Sequence, residues 1–196
     1  MTEKIYIASK NLGKIKEFKE LLAPLGFKAI TFQDIPFPDV EETGTTFKEN
    51  ALLKAKAAFR ATNLPSLADD SGLCIHALNN EPGIYAARFA KEFGGFPLVF
   101  DEINRRLEGF EDRGAHFTCA IALVLSETKT FIFETSCFGK IALTPSLGTK
   151  GFDYDPIFIP EESSLTFAKL DADFKNQISH RAKALQKLKE FLDFNK

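Results

Sequence analysis

Residues Ile5–Phe18 read IYIASKNLGKIKEF. Ile5 to Ala8 are of strand type, and they run into a polar turn containing Gly13 and Lys14. Ile15, Phe18, Leu21 and Leu22 then recur at helical spacing. A strand that turns directly into a helix opens an α/β sheet. The turn has the outline of the phosphate-binding loop G-x-x-x-x-G-K-[ST]. Ala8, however, stands at the first glycine, and Ile15 replaces the hydroxyl residue that would hold Mg²⁺. A helix N-terminus offers backbone N–H groups and a partial positive charge to an anion, and Ser9, Asn11 and Lys14 add donors. An ordinary strand-to-helix connection with Lys14 and Lys16 in solvent fits the same residues. If the turn takes phosphate, the metal must be held elsewhere.

Working outward, the pattern predicts a strand over Lys4–Ala8, a helix over Gly13–Leu22 ended by Pro24 and Gly26, and a second strand over Lys28–Phe32. A polar, Pro-containing loop follows from Gln33 to Thr45. Thr46 and Glu49 have capping-box spacing and start a helix that continues to about Ala61. SLADDSGLCIHAL reads as a short strand, a polar turn and another strand, and PLVFDEINRRL as a helix. AHFTCAIALVLS and KTFIFETSCFGKIAL are rich in β-formers and flank the polar pair Glu127–Thr128, a hairpin pattern. A last helix is predicted over roughly Gln177–Phe194. The sum is a mixed α/β sheet flanked by helices.

Across its 196 residues the chain is 44% hydrophobic and 27% charged, with a formal net charge of −2. Those are the proportions of a soluble globular chain. The charge disfavours a general nucleic-acid or membrane surface, and no apolar run approaches a membrane span. Cys74, Cys119 and Cys137 lack C-x-x-C spacing and read as free thiols of a reducing compartment, so a cytoplasmic location is expected. The 21 phenylalanines and absent tryptophan indicate core filling, with some aromatic surface for a ligand or second subunit.

Two acidic pairs are candidates for the missing metal carboxylates, since Mg²⁺ prefers hard oxygen ligands. Glu41–Glu42 lies in the loop before the capped helix, and Asp69–Asp70 follows the short strand SLA. Strand ends are where open α/β sheets place their ligand crevices. Each pair also fits a blander role, as a solvated loop or a turn. In GFDYDPIF, Gly151–Phe158, Phe152 suits stacking on a flat ring and Asp155 suits accepting from a sugar or orienting a base. Alternatively, Phe152 and Tyr154 anchor a turn in the core. Ser179, His180 and Arg181 sit at the start of the last helix, shortly after Lys175, a cationic setting that suits phosphate or a carbonyl-bearing base. With His76, His116 and His180 the only histidines, a His-rich zinc site is disfavoured.

ASKNLGKIKEF, EETGTTFKENALLKAKAA, LADDSGLCIHALNNEPGIYAARFA, GFDYDPIF and SHRAKAL occur in this order along almost the full length. In that series the chain closely resembles the inosine/xanthosine triphosphate pyrophosphatases, which act on non-canonical purine nucleotides. The resemblance implies an elongated mixed sheet flanked by helices. It also implies two lobes with a central substrate cleft, a single domain over residues 1–196, and usually a homodimer. It implies Mg²⁺-dependent hydrolysis of ITP, dITP or XTP to the monophosphate and pyrophosphate. Ser9, Lys10, Asn11, Leu12, Gly13 and Lys14 match the phosphate-contacting turn. Glu42 and Asp70 match the Mg²⁺ carboxylates, Asp70 also the general base, and their neighbours Glu41 and Asp69 are further candidates for the metal role. Ser71 matches a substrate contact, and Phe152, Asp153, Tyr154 and Asp155 the nucleoside-binding stretch. Lys175 matches a phosphate contact, and His180 and Arg181 the contact to the 6-oxo purine edge.

The chain departs from the family wording in places. Asp153 occupies a position that is commonly glycine, and Lys10 one that is commonly small. The stretch after Phe89, AKEFGGFPLVFDEINRRLEG, follows the usual pattern poorly. Asp tolerates positive φ better than most residues, so Asp153 can substitute where glycine's backbone freedom is what matters. Two other readings of the same residues are a non-catalytic nucleotide-binding domain and a Mg²⁺-dependent phosphotransferase with an acceptor other than water.

Overall fold

A computed structural model gives the fold and describes residues 3–146 and 153–195. Its strands are β1 (Lys4–Ile7), β2 (Lys28–Ile30), β3 (Ser66–Ile75), β4 (Gly114–Val124), β5 (Thr130–Ile141) and β6 (Phe158–Pro160). Its helices are α1 (Leu12–Leu22), α2 (Phe47–Thr62), α3 (Ala86–Glu92), α4 (Phe96–Arg106), α5 (Ala172–Ile178) and α6 (His180–Phe194). The sheet order is β2-β1-β3-β4-β5-β6. β1 pairs parallel with β2 (Ile5 opposite Ala29) and with β3 (Ile7 opposite Leu67), whereas β5 and β6 run antiparallel. The mixed α/β class read from the sequence is therefore what the chain adopts. Among the described residues no helix is long and apolar enough to cross a membrane.

The chain forms two compact units. The first comprises Met1–Asp70, Cys119–Thr135 and Ala184–Lys196, and the second Ser71–Thr118 and Ser136–Lys183. The core of the first gathers Ile5 and Ile7 of β1, Ile15, Phe18 and Leu22 of α1, Ile121 and Leu123 of β4, and Leu188 and Leu192 of α6. The apolar stripe predicted in α1, and that of α6, thus bury against strands whose own apolar runs are continuous. The second core is aromatic. Phe117, Phe158 and Phe167 pack ring on ring, joined by Leu73, Val99, Ile103 and Tyr154. At the β5–β6 pair Gly139 faces Pro160, and a Cβ there would lie 2.2 Å from the Ile159 carbonyl oxygen, so only glycine fits. All three cysteines are buried and unbridged, and burial pushes the Cys74 and Cys137 thiols up to about 11.

Two predicted elements differ. The expected turn at Asp69–Gly72 does not exist: β3 runs unbroken through it. A polar turn is favoured where buried polar groups lack partners, and here both aspartates have them. The last helix is two helices, α5 and α6, divided at Ser179. That residue is extended (φ −65°, ψ 150°), and its hydroxyl accepts from the Ala182 N–H. Serine side chains compete in this way with continued helix.

Leu188 of α6 is fully buried in the first core. Leu188→Ala is expected to lower the unfolding free energy by about 2–5 kcal/mol, read from urea denaturation followed by circular dichroism.

Candidate active site

The first unit gathers three carboxylates and two lysines. Thr46 caps α2 by accepting from Glu49 N–H, and the Glu49 carboxylate accepts from the backbone and hydroxyl of Thr45. The helix then runs with Phe47, Asn50, Ala51, Ala55 and Ala58 buried. Small alanines let its backbone approach the sheet. Lys54 falls on this same stripe, one turn after Asn50. Its ammonium is bonded to the Glu42 carboxylate and lies 3.6 Å from Asp70 Oδ1. Asn50 donates to the other Asp70 oxygen at 3.2 Å.

Asp69 and Asp70, 3% and 7% exposed, are successive residues of a strand, whose side chains alternate in direction. Asp69 pairs with the Lys14 ammonium at 2.8 Å, while Asp70 faces Asn50 and Lys54. Burial pushes the Asp70 carboxyl above its ordinary value. Lys54 opposes that, Glu42 adds to it, and the Asn50 hydrogen bond and Lys14 oppose it in turn. For Lys54, burial alone would lower the pKa, but Asp70, Asp69 and Glu42 together outweigh it and hold the amine above its ordinary value. Glu41, beside Glu42 in sequence, is exposed.

The opening turn is built locally. Asn11 caps α1: its Oδ1 accepts from the Gly13 and Lys14 N–H groups at 2.9 and 3.2 Å. Ser9 Oγ accepts from Asn11 N–H at 3.2 Å. Two of the amides expected to face an anion are thus already capped, and the donors that remain for phosphate are chiefly side chains. Lys10 is bonded to Asp39, and Leu12 is exposed.

The second unit holds the residues matched to the nucleoside. Tyr154 is buried, donates to the Ala86 carbonyl at 2.7 Å and meets the Phe96 ring edge-on at 5.1 Å. Its side chain therefore serves as the core anchor of this stretch. Asp153 has φ 51°, the left-handed conformation that favours glycine, so the departure at this position keeps a backbone glycine would adopt. Asp155 is buried and bonded to Lys175, whose ammonium lies 5.4 Å from the centre of the Phe167 ring. His180 stacks on Phe117 at 4.7 Å and 10° between planes. Arg181 donates to the Ser71 hydroxyl at 3.1 Å. Phe152 lies outside the described residues.

Asn50 and Lys54 are two further residues of this cluster, outside the candidates read from the sequence. A signal was present: Phe47, Asn50, Ala51, Lys54, Ala55 and Ala58 follow the i, i+3, i+4, i+7, i+8, i+11 spacing of one buried face. An amide and an ammonium on that stripe need buried partners, and Asp70 and Glu42 supply them.

A model described as the Ham1 family matches residues 5–191. The dITP/XTP pyrophosphatase of Geobacillus kaustophilus (strain HTA426) is 46% identical over 191 residues, covering 96% of this chain and 93% of that protein. A HAM1 protein from Coxiella burnetii superposes with a TM-score of 0.92 at 42% identity, covering 97% of this chain and 98% of the other. The Ham1 protein of Staphylococcus aureus superposes with a TM-score of 0.91, also at 42% identity, covering 99% and 100%.

The raised Asp70 pKa has a consequence for stability. Between the unfolded and folded pKa values the folded state binds more protons, so stability falls as pH rises through that window. With metal chelated, Asp70→Asn is expected to raise the thermal midpoint at pH 7. That gain should shrink as pH falls toward the unfolded carboxylate pKa, about 3.9. Thermal scans of both proteins from pH 7 to pH 3.5 check it.

Proposed function

The chain belongs to the Ham1 family, and on that premise we propose that it hydrolyses non-canonical purine nucleoside triphosphates. ITP, dITP and XTP would yield the monophosphate and pyrophosphate, with Mg²⁺, removing them from the nucleotide pool. The observation that carries this reading is the convergence of Glu42 and Asp70 on the Lys54 ammonium, with the Lys14–Asp69 pair nearby, in a chain whose relatives include a dITP/XTP pyrophosphatase. A cytoplasmic location and a homodimer belong to the same proposal and rest on the sequence reading and the family resemblance.

The residues present fit a divalent cation. Two carboxylates already converge on one positive charge, and all their donor atoms are hard oxygens. Among the described residues no group of three or more His, Cys, Asp or Glu could hold a metal alone. Glu42 and Asp70 would therefore supply part of a coordination shell that water and phosphate oxygens complete, as Mg²⁺ prefers. Once bound, the ion neutralises triphosphate charge and lowers the pKa of a coordinated water.

Asp70 would take the proton of the attacking water. Burial makes it a stronger base than an exposed aspartate, in the direction a general base needs. Lys14 would stabilise charge on the phosphates, drawing on an ammonium that Asp69 holds in place. Lys175, bonded to Asp155, is the further phosphate contact that the family resemblance implies. Ser9, Asn11 and Gly13 shape the turn that carries Lys14. Arg181, beside Ser71, would donate to a 6-oxo acceptor, and His180 would reach the same purine edge. Adenine presents a donor at that position and would leave both donors unpaired, which discriminates strongly.

Pyrophosphate release from ITP, dITP, XTP, GTP and ATP, with Mg²⁺ and with EDTA, tests the reading. Release from the first three, abolished by EDTA and small from ATP, is expected; guanine shares the 6-oxo group, so the Arg181 contact does not by itself reject GTP. Binding of ITP without release would overturn it in favour of a non-catalytic nucleotide-binding domain. In the same assay Asp70→Asn should lower kcat by at least ~100-fold, the lower end of general-base effects; near-normal turnover would remove Asp70 from the role. Arg181→Ala should narrow the ITP-over-ATP preference, and an unchanged ratio would contradict the base-edge assignment.

A further inference from the structure

Asn50 is 1% exposed, and both ends of its amide are engaged. Its Oδ1 accepts from Gly44 N–H at 2.9 Å, and its Nδ2 donates to Asp70 Oδ2 at 3.2 Å. The partners fix this orientation, because a backbone N–H only donates and a carboxylate only accepts. The Gly44 backbone comes so close to α2 that a Cβ there would lie 2.6 Å from Glu49 Cβ and 2.7 Å from Asn50 Oδ1. Gly44 stands two residues after Glu42. One buried side chain therefore ties Asp70 to the loop that carries Glu42, while Lys54, one turn along α2, faces the same two carboxylates.

We propose that Asn50 is a positioning residue that acts through Asp70. Its amide holds the Asp70 carboxylate in one rotation with Oδ2 engaged, and holds the Glu42 loop at a fixed place relative to it. This rests on the preceding reading of Asp70 as the catalytic and metal-binding carboxylate. With Oδ2 pinned, Oδ1 on the Lys54 side is the oxygen that changes partners when a cation or water arrives. A carboxylate without that tether samples other rotations, and a shift of about 1 Å at a reacting group costs about 100-fold in rate. Groups that orient metal-binding side chains matter by about 10- to 100-fold.

The test compares wild type, Asn50→Ala, Asn50→Asp, Asp70→Asn and the double variant Asn50→Ala/Asp70→Asn. The readouts are kcat and KM for dITP, Mn²⁺ affinity by calorimetry without nucleotide, and thermal midpoint. Asn50→Asp keeps the volume and an oxygen for Gly44, but sets a second carboxylate against Asp70 in place of the donor. Both Asn50 single variants are expected to lose about 10- to 100-fold in kcat with KM little changed, and to bind Mn²⁺ more weakly. In the Asp70→Asn background, Asn50→Ala should cost no further residual kcat, because its route of action is gone.

If Asn50 only packs the helix, the thermal midpoint falls while kcat and Mn²⁺ affinity stay at wild-type values, or kcat falls by the same factor in both backgrounds. Either result overturns the proposal, as does wild-type kcat in Asn50→Asp. If wild type releases no pyrophosphate, the functional reading fails separately and Mn²⁺ affinity decides. Weakened binding in both Asn50 variants would still support the tether, and unchanged binding would overturn it. A wild type that neither turns over dITP nor binds Mn²⁺ overturns both.

Discussion

Two adjacent carboxylates buried in the middle of one strand set the conditions for much of the first unit. An unpaired buried charge costs several kcal/mol, so Asp69 and Asp70 make sense in β3 only because partners reach them from other elements. Lys14 arrives from the first turn of α1 and Lys54 from the buried stripe of α2, with Asn50 a turn before it. The two helices are thereby tied to the same stretch of strand by charge as well as by apolar packing. The arrangement leaves more negative than positive charge: Asp69, Asp70 and Glu42 surround two ammonium groups. A site with that imbalance is disposed to accept a further cation, which a triphosphate substrate brings with it.

The second unit solves a different problem. A cluster of phenylalanines lies within its core, and several of the polar residues matched to the nucleoside stand on those rings. His180 lies flat on Phe117, Lys175 sits over Phe167, and Tyr154 is locked to the Ala86 carbonyl. Stiff rings with few rotamers restrict the side chains stacked on them, which holds Lys175 and His180, while Asp155 and Arg181 are held by Lys175 and Ser71. The many phenylalanines and the missing tryptophan in the composition acquire a physical meaning here.

Much of this was legible in the sequence. The opening strand and α1, the capped start of α2 and the β4–β5 pair follow from periodicity and capping residues. The ordered motifs brought Glu42, Asp70, Lys14 and the His180–Arg181 pair into one functional reading. What the sequence obscured has a common cause, namely polar residues whose partners are distant in the chain. DDSG looks like a turn until Lys14, Asn50 and Lys54 are known to satisfy its aspartates. Asn50 and Lys54 look like the solvent side of an Ala/Lys-rich helix until their place on the buried stripe is counted. Ser179 looks like an ordinary helical residue, because the local cap that divides α5 from α6 leaves the apolar spacing of α6 intact.

The proposed function stands on Glu42 and Asp70 forming the cation site that serves the triphosphate. Its most direct test is anomalous diffraction from crystals soaked with Mn²⁺. A manganese peak within direct coordination distance of both carboxylates is expected, with the Lys54 ammonium displaced from between them. A peak away from both residues, or none while nucleotide is bound, would contradict it.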